Sequence, residues 1–162
     1  MAHGPHLTAR IDHQMSIPQN EHARFAEALK AGDASTVHSA IERYPDLVCH
    51  PEWVPPPLHC AILWNQPEMA SILLDNGADI ESTDPDRKTT PLRYAIMYAR
   101  TDTIPMLLAR GANTGPIVDG GTTALQLATE AANGQYEAFD DLPARDEYDA
   151  VVQLLRQAGL TQ

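Results

Sequence analysis

Residues 57–79, PLHCAILWNQPEMASILLDNGAD, are echoed by residues 91–113, PLRYAIMYARTDTIPMLLARGAN. Equivalent residues of the two segments lie 34 positions apart: Leu58 and Leu92, Leu74 and Leu108, Gly77 and Gly111. A third copy starts at TALQLA, where Leu125 lies 33 positions after Leu92. A sustained period of this length indicates a repeat protein, and missing it would misassign the whole fold.

Each copy has the pattern of two short helices. A proline opens the first helix, where its missing N–H costs nothing. A polar break at Asn65 and Gln66 follows, and apolar residues then recur at helical spacing from Pro67 onward. The second helix is predicted to end at Gly77, which can adopt the left-handed conformation of a helix C-terminus. One such unit cannot bury its own apolar face, so the repeats must stack, which predicts an all-α solenoid.

The motif residues identify the kind of repeat. Pro57-Leu58-His59-Cys60-Ala61 and Thr90-Pro91-Leu92-Arg93-Tyr94-Ala95 match the pattern T-P-L-H-x-A, and the chain therefore resembles the ankyrin-repeat family. FAEALKAGDASTVHSAIERYPDL, from Phe25, is similar to a degenerate first repeat, so the resemblance covers about residues 22–160. It implies an N-terminal arm (1–21) and an ankyrin-repeat domain (22–162) of four helix-loop-helix repeats with projecting loops. The repeats are expected near 22–55, 56–89, 90–122 and 123–160.

Three positions depart from the family pattern. The motif threonine is Pro56 in the second repeat, so we expect His59 to bond to backbone instead. Pro105 would break a helical hydrogen bond unless the helix starts late, capped by Asp102 or Thr103. The last repeat is longer by about 13 residues on the period argument, which places an insertion between its helices near 133–148. That insertion is either an ordered lid over the C-terminal end or a solvated loop.

Composition limits the classes of partner. The formal net charge is −11, which disfavours nucleic acid and anionic membranes because both bind through cationic residues. No window approaches the roughly 20 apolar residues of a membrane span. Two cysteines with ten residues between them do not form a disulfide framework and are expected to stay reduced. We therefore expect a cytoplasmic protein that binds no nucleic acid and no membrane.

The Cys49-His50 and His59-Cys60 pairs raise the question of a metal or catalytic site. Adjacent pairs do not have the C-x2-4-C and H-x3-5-H spacings of zinc sites, so no metal is predicted. Cys60 is expected in an apolar core, without the electropositive setting that a nucleophilic thiolate needs. No phosphate-binding, dinucleotide or hydrolase motif is present. His3, His6 and His13 lie in the arm, which is either a flexible tail or a metal-binding one. The sequence predicts no catalytic residues, no cofactor and no enzyme.

The resemblance implies where a partner would bind. Ankyrin proteins usually bind other proteins through the concave face, formed by the first helix of each repeat and the tips of the loops between repeats. Aromatic and apolar side chains at such positions are typical of interface centres, and the charge favours a partner with basic residues. The partner-binding residues predicted on this basis are Glu52, Trp53, Leu63, Trp64, Asp86, Arg87, Met97, Tyr98, Asp119 and Glu130. The alternative is that Trp53 or Trp64 folds back to cover a short first repeat.

A second function belongs to a different class. A groove lined by Trp64, Met97 and Tyr98 and closed by the insertion could hold a small molecule, as a binding protein or an atypical enzyme. Arg93, at the motif histidine position, or Arg100 would then anchor an anion. An enclosed cavity favours this function, whereas an open groove favours a protein partner. The sequence does not indicate the oligomeric state.

Overall fold

The computed structural model describes residues 17–51, 53–116, 121–135 and 143–161. Within these ranges the chain is helical and has no β-strand. Eight α-helices and one 3-10 helix follow one another: α1 (Gln19–Ala31), α2 (Ala34–Arg43), the 3-10 helix (Pro45–Cys49), α3 (Pro57–Leu63), α4 (Pro67–Asp75), α5 (Pro91–Met97), α6 (Thr103–Ala109), α7 (Ala124–Ala132) and α8 (Arg145–Gln157). The predicted all-α solenoid is confirmed.

The helices form four sequential pairs arranged in two layers. α1 packs on α2, α3 on α4, α5 on α6, and α7 on α8. The first helices contact one another in order along the stack, and α2, α4 and α6 form a second row behind them. Loop 48–56 lies beside loop 78–85, and residues of both line a shared groove. The connections before successive first helices thus stand next to one another, as the family resemblance implies.

Proline and glycine set the ends of the repeated helices. Pro57, Pro67 and Pro91 each occupy the first helical position, where no hydrogen bond is lost. α4 ends at Asp75 with Asn76 as its C-cap, and Gly77 follows with a φ of 94°, a conformation that costs glycine little because it has no Cβ. The predicted left-handed glycine is confirmed, and it lies directly after the C-cap, where such glycines commonly end helices.

Pro105 has the predicted effect on α6. The helix begins at Thr103 and has only 7 residues, which places Pro105 in the first turn, where its missing N–H breaks no intrahelical bond. Asp102 is the N-cap residue, but its side chain makes no capping hydrogen bond. The Thr103 hydroxyl is buried without a hydrogen-bond partner. The late start was predicted correctly, and the capping interaction was not.

The first and last helix pairs have bounds that the repeat period does not give. α1 starts at Gln19, three residues before the predicted boundary at residue 22, because its first turn is polar and shows no apolar period. At the other end, α7 stops at Ala132 and α8 starts at Arg145. The last four residues of the predicted insertion are therefore the first turn of α8. Residues 136–142, which include Tyr136, Phe139 and Leu142 of the predicted lid, lie outside the described residues.

The core runs through the whole stack. Its side chains come from every repeat, from Phe25 and Leu29 at one end to Val151 and Leu155 at the other. Such continuity is what couples neighbouring repeats, because each repeat buries its apolar surface only against the next. No helix in the described ranges is long and apolar enough to cross a membrane.

Candidate functional site

Trp53 packs against the first repeat. Its ring centroid lies 5.5 Å from that of Phe25 and 5.9 Å from that of His22, both in edge-on geometry. The side chain is half-buried against the core. Edge-to-face aromatic contacts of this kind stabilise packing beyond the area they bury. Trp53 therefore covers α1, as the alternative for the tryptophans anticipated, and keeps one part of its surface exposed.

An open groove of about 370 Å³ lies next to Trp53 at the first loop tip. One wall is α1, with His22, Ala23 and Ala26. The facing wall is formed by loop residues, among them Val54, whose exposed fraction of 47% is high for a large apolar side chain. The His22 and His50 rings meet at this wall, with centroids 4.7 Å apart. The groove lining thus combines apolar side chains with two imidazoles.

Leu63 and Trp64 end the first helix of the second repeat. Leu63 is the last residue of α3, and Trp64 is its C-cap. Both side chains are half-buried and pack against the core. The Leu63 carbonyl accepts a hydrogen bond of 2.7 Å from Nη2 of Arg100 in the next repeat. These two predicted residues therefore lie at the edge between core and surface.

Arg87 and Tyr98 form a contact across the first helix of the third repeat. Nη1 of Arg87 donates to the Tyr98 hydroxyl over 2.7 Å, and the Arg87 guanidinium carbon lies 5.8 Å from the Tyr94 ring centroid. Tyr94 and Tyr98 lie one helical turn apart, with ring centroids 5.0 Å apart. Arg100 approaches Tyr98 at 5.8 Å. Burial raises the pKa of Tyr94 to about 12, with a further contribution from Tyr98.

Met97 does not have the exposed side chain that was expected of a partner-binding residue. Its side chain is only 4% exposed and belongs to the core. The Met97 carbonyl accepts a buried hydrogen bond of 2.7 Å from the Tyr148 hydroxyl on α8. The start of α8 therefore covers this end of α5. The equivalent Leu63 stays half-buried, so the same register position differs in exposure between the two repeats.

The structure describes two of the four predicted acidic residues. Asp86 is exposed in the loop before α5. The buried Asp84 carboxylate shapes this loop by accepting the backbone N–H of Asp86 at 2.9 Å and that of Arg87 at 3.4 Å. Glu130 is half-buried on α7. Glu52 and Asp119 lie outside the described residues.

The two Cys-His pairs do not converge on a common centre. His59 is fully buried, and its Nε2–H donates to the Thr89 carbonyl at 2.8 Å. The expected backbone bond of His59 is thus present, and burial lowers the pKa of this imidazole. Cys60 is buried beside the Pro55 carbonyl, and burial raises the pKa of its thiol to about 11. Cys49 is exposed. Within the described ranges, no three His, Cys, Asp or Glu residues are grouped to hold a metal ion.

A set of hydrogen bonds between repeats escaped the sequence reasoning. After the first helices α3 and α5, a side chain donates to a carbonyl at the end of the preceding first helix. Gln66 reaches the Lys30 carbonyl at 2.9 Å, and Arg100 reaches that of Leu63 at 2.7 Å. Gln66 and Arg100 are 34 positions apart, so a search for polar residues at this register could have found them. Such donors satisfy carbonyls that lack intrahelical partners.

The next residue in this register is Gly134, which has no side chain to donate. In the fourth repeat the equivalent bond comes from Tyr148 on α8 to the Met97 carbonyl. Gly134 has a φ of 70°, and a Cβ placed on it would clash with the Arg145 guanidinium. The two ends of the 135–143 connection thus lie close together.

A second set of bonds uses the motif histidine position. His59 donates to the Thr89 carbonyl, and Arg93, 34 residues later, donates to Thr122. Arg93 makes two bonds, through Nη1 to the carbonyl at 2.6 Å and through Nη2 to the hydroxyl at 2.9 Å. Arg93 therefore ties the third repeat to the fourth. The sequence suggested that Arg93 could anchor an anion, whereas in the structure its guanidinium bonds to Thr122.

Comparison with known proteins agrees with the geometry. A family model for ankyrin repeats, in three copies, matches residues 58–156. The chain belongs to the ankyrin-repeat family. The match covers more than half of the chain and coincides with the second, third and fourth helix pairs. Ankyrin repeats act in general as protein-interaction modules.

Three relatives illustrate the range of proteins to which the chain is similar. The E3 ubiquitin-protein ligase hecd-1 of Caenorhabditis elegans is 29% identical over 71% of this chain, which is 4% of that protein. Ankyrin repeat and SOCS box protein 6 of Mus musculus is 36% identical over 48% of the chain and 19% of its own length. Glycerophosphocholine phosphodiesterase gde1 of Schizosaccharomyces pombe is 32% identical over 44% of the chain and 6% of its own length. The chain thus spans less than a fifth of each of these relatives.

Proposed function

We propose that this chain is a non-catalytic module that binds a protein partner through its concave face and loop tips. The observation that carries the proposal is the open groove beside Trp53, where Val54 is 47% exposed on a loop tip. Val54 and the exposed part of Trp53 together form an apolar patch, and tryptophan is among the residue types enriched at interface centres. The partner would extend from this groove toward Trp64 and Tyr98, which occupy equivalent positions in successive repeats.

The charge of the partner is the second part of the proposal. A net charge of −11 supports a partner whose surface is basic, because long-range attraction raises the rate of encounter. The exposed Asp86 stands at a loop tip that such a partner would approach. Rim charges act mainly on association, whereas buried apolar contacts determine how long the complex lasts.

The small-molecule alternative has less support. One of its three lining residues, Met97, is buried in the core, and Tyr98 contacts Arg87 through its hydroxyl. The insertion near 133–148 was expected to close that groove, and its residues 136–142 lie outside the described residues. The enzymes among the relatives match over 4% and 6% of their lengths. Such small shares of the two proteins give no reason to transfer a catalytic activity.

Cellular setting is a further part of the proposal. Cys49 and Cys60 form no disulfide, which supports the reducing environment of the cytoplasm. Fractionation of native cells with an antibody against the chain would test this, and recovery from an oxidising compartment would contradict it.

Affinity capture followed by binding measurements on variants tests the binding face. We expect Val54→Ser to weaken binding by about 1–2 kcal/mol with little change in stability, because the side chain is largely exposed. Trp64→Ala should cost about 2 kcal/mol or more in binding and also lower the melting temperature, since the ring packs on the core.

Gln153→Ser, at an exposed position on α8, is the matched control and should bind normally. If Val54→Ser and Trp64→Ala both bind the captured partner with unchanged affinity, the concave face is not the binding site. Asp86→Lys gives an independent readout by stopped-flow kinetics. It should slow association and reduce its dependence on salt, while dissociation stays nearly constant.

A further inference from the structure

The segment from Arg87 to Arg100 differs in charge from the rest of the molecule. It contains four basic residues and no acidic residue, in a chain with twice as many acids as bases. It includes the end of the loop before α5, all of α5 and the turn that follows. These are concave-face elements of the third repeat. This acidic protein therefore has a cationic strip, Arg87, Lys88, Tyr98 and Arg100, on the face that is proposed to bind its partner.

The side chains of this strip are arranged around Tyr98. Arg87 lies against the rings of α5, donating to the Tyr98 hydroxyl, and Arg100 approaches the same ring from the following turn. Lys88 is exposed beside Arg87. The guanidinium positions are held by these contacts and by the bond from Arg100 to the Leu63 carbonyl. Preorganised donors lose less entropy when they bind a ligand.

The charge of Arg100 is not neutralised by a carboxylate of the described ranges. Its side chain is half-buried, and its Nη2 donates to the neutral Leu63 carbonyl. A partly buried guanidinium in this state gains most from an anionic acceptor, because charge-assisted bonds are stronger where water is scarce.

We infer that the cationic strip, Arg87, Lys88, Tyr98 and Arg100, binds an acidic side chain, Asp or Glu, of the partner protein. This inference rests on the proposed protein-binding function of the concave face and adds the chemistry of its central contact. A planar carboxylate matches the paired N–H donors of a guanidinium, and the adjoining aromatic ring suits the apolar stem of the same segment. Nucleic acid is disfavoured because the acidic remainder of the surface repels a polyanion.

The acidic contact inferred for the strip and the basic surface proposed for the partner act over different distances. Net charge acts over a Debye length and guides the approach of the partner. The strip acts at hydrogen-bond distance, after contact is made. The segment that binds should therefore carry an acidic residue at its centre and basic residues toward its ends.

A random 12-residue peptide library displayed on phage, selected against the whole chain, supplies the probe. The peptides enriched should share an Asp or Glu close to an apolar residue. Synthetic copies are then titrated by fluorescence anisotropy against the wild type, Arg87→Gln, Lys88→Gln and Arg87→Lys. Arg87→Gln is expected to weaken binding about tenfold or more, since it removes a charge-assisted hydrogen bond. Arg87→Lys should recover part of the affinity because it restores the charge.

Arg156→Gln removes the same charge from an exposed position on α8 and should leave the affinity unchanged. Thermal melts show whether each variant is folded before it is titrated. Two further titrations use the best peptide with its acidic residue replaced by the amide, and a single-stranded oligonucleotide. The wild type is expected to bind the amide peptide about tenfold more weakly than the acidic peptide. Arg87→Gln is expected to bind the two peptides equally.

Enriched peptides that lack an acid and lose affinity with Val54→Ser but not with Arg87→Gln would overturn the inference and leave the proposed function standing. Tighter binding of the oligonucleotide than of the acidic peptides, lost in Arg87→Gln, would overturn the acidic partner in favour of a polyanion. Peptides insensitive to Val54→Ser, Trp64→Ala and Arg87→Gln alike would overturn both proposals.

Discussion

The junction between the second and third repeats and the junction between the third and fourth perform the same task with different chemistry. At the first, a buried neutral imidazole, His59, donates to the Thr89 carbonyl. At the second, the half-buried guanidinium of Arg93 reaches both polar atoms of Thr122. The comparison shows that the register position, rather than the residue type, is what the fold requires, provided that the side chain is a donor of sufficient length.

Each junction has a second hydrogen bond, and the donor of this bond comes from a different part of the repeat in the two junctions. Arg100 follows α5 directly and reaches back to the Leu63 carbonyl. Tyr148 reaches the equivalent Met97 carbonyl from the second helix of the fourth repeat. The fourth repeat therefore depends on a residue beyond its insertion, which makes its attachment to the stack a long-range one.

The largest expected effect comes from breaking the His59 bond. His59→Ala should lower the free energy of unfolding by about 3 kcal/mol, because it leaves a cavity beside Tyr94 and removes a donor from a buried carbonyl. Arg93→Ala should cost about 1–2 kcal/mol, since its half-exposed site admits water to the unsatisfied groups. Urea unfolding followed by circular dichroism measures both, and equal losses would contradict the distinction between the two junctions.

Tyr148→Phe isolates the long-range bond of the fourth repeat. We expect a loss of about 1–2 kcal/mol, because the Met97 carbonyl stays buried without its donor while the ring remains in place. Gln66→Ala removes the corresponding bond at an exposed site and should cost less than about 1 kcal/mol. Amide exchange should show faster opening of α7 and α8 in Tyr148→Phe only. A uniform increase across all helices would argue against a separate role for this bond.

The two junctions should also differ in their response to pH. Burial depresses the pKa of His59 below its ordinary value of 6.5. Above pH 6.5 the imidazole is neutral in both states. Below it, the unfolded chain takes up a proton that the folded chain resists, so stability falls as the pH drops from 6.5 toward the folded pKa. Arg93 stays charged throughout this range.

His59→Gln should therefore be less stable than the wild type at pH 8 and show a shallower loss of stability between pH 6.5 and 5. Arg93→Gln should keep the slope of the wild type. Urea titrations at each pH give the required free energies. Parallel curves for the wild type and His59→Gln would show that other histidines carry the acid sensitivity.

The smallest expected effect is that of metal removal. Hydrogen bonds and apolar burial stabilise both junctions. The Nε2 of His59 carries a proton that it donates to a carbonyl, so this nitrogen does not coordinate a metal. We therefore predict that a chelator leaves the melting temperature unchanged and that protein purified without metal resin holds no stoichiometric zinc. A fall of several degrees with chelator, reversed by zinc, would contradict this.

The repeated part of the structure could be predicted from the sequence because the residues that determine it recur at a fixed spacing. The 34-residue spacing placed α3 and α5, and the prolines that open them gave their first residues. Pro105 correctly indicated a late, short α6. These features depend on local backbone chemistry, which the sequence shows directly.

Exposure was harder to predict than position. Met97 occupies the register of the half-buried Leu63, yet α8 covers it. Its burial depends on where the chain returns after an insertion, and no spacing rule gives that path. Trp53 presents the same difficulty, since its contact with Phe25 joins residues 28 positions apart. The inter-repeat donors Gln66 and Arg100 share a register with each other but not a residue type, so motif matching overlooked them.

The two cysteines of the chain also differ in chemical reactivity. The Cys60 thiol, with its pKa raised to about 11 by burial, holds almost no thiolate near neutral pH, and thiolate is the form that attacks electrophiles. Cys49 is exposed and lies at the end of the 3-10 helix, one residue before the His50 wall of the groove. A maleimide dye should therefore attach at a single site without mutagenesis. The unmodified chain thus carries a natural labelling position where an environment-sensitive fluorophore would report the arrival of a partner.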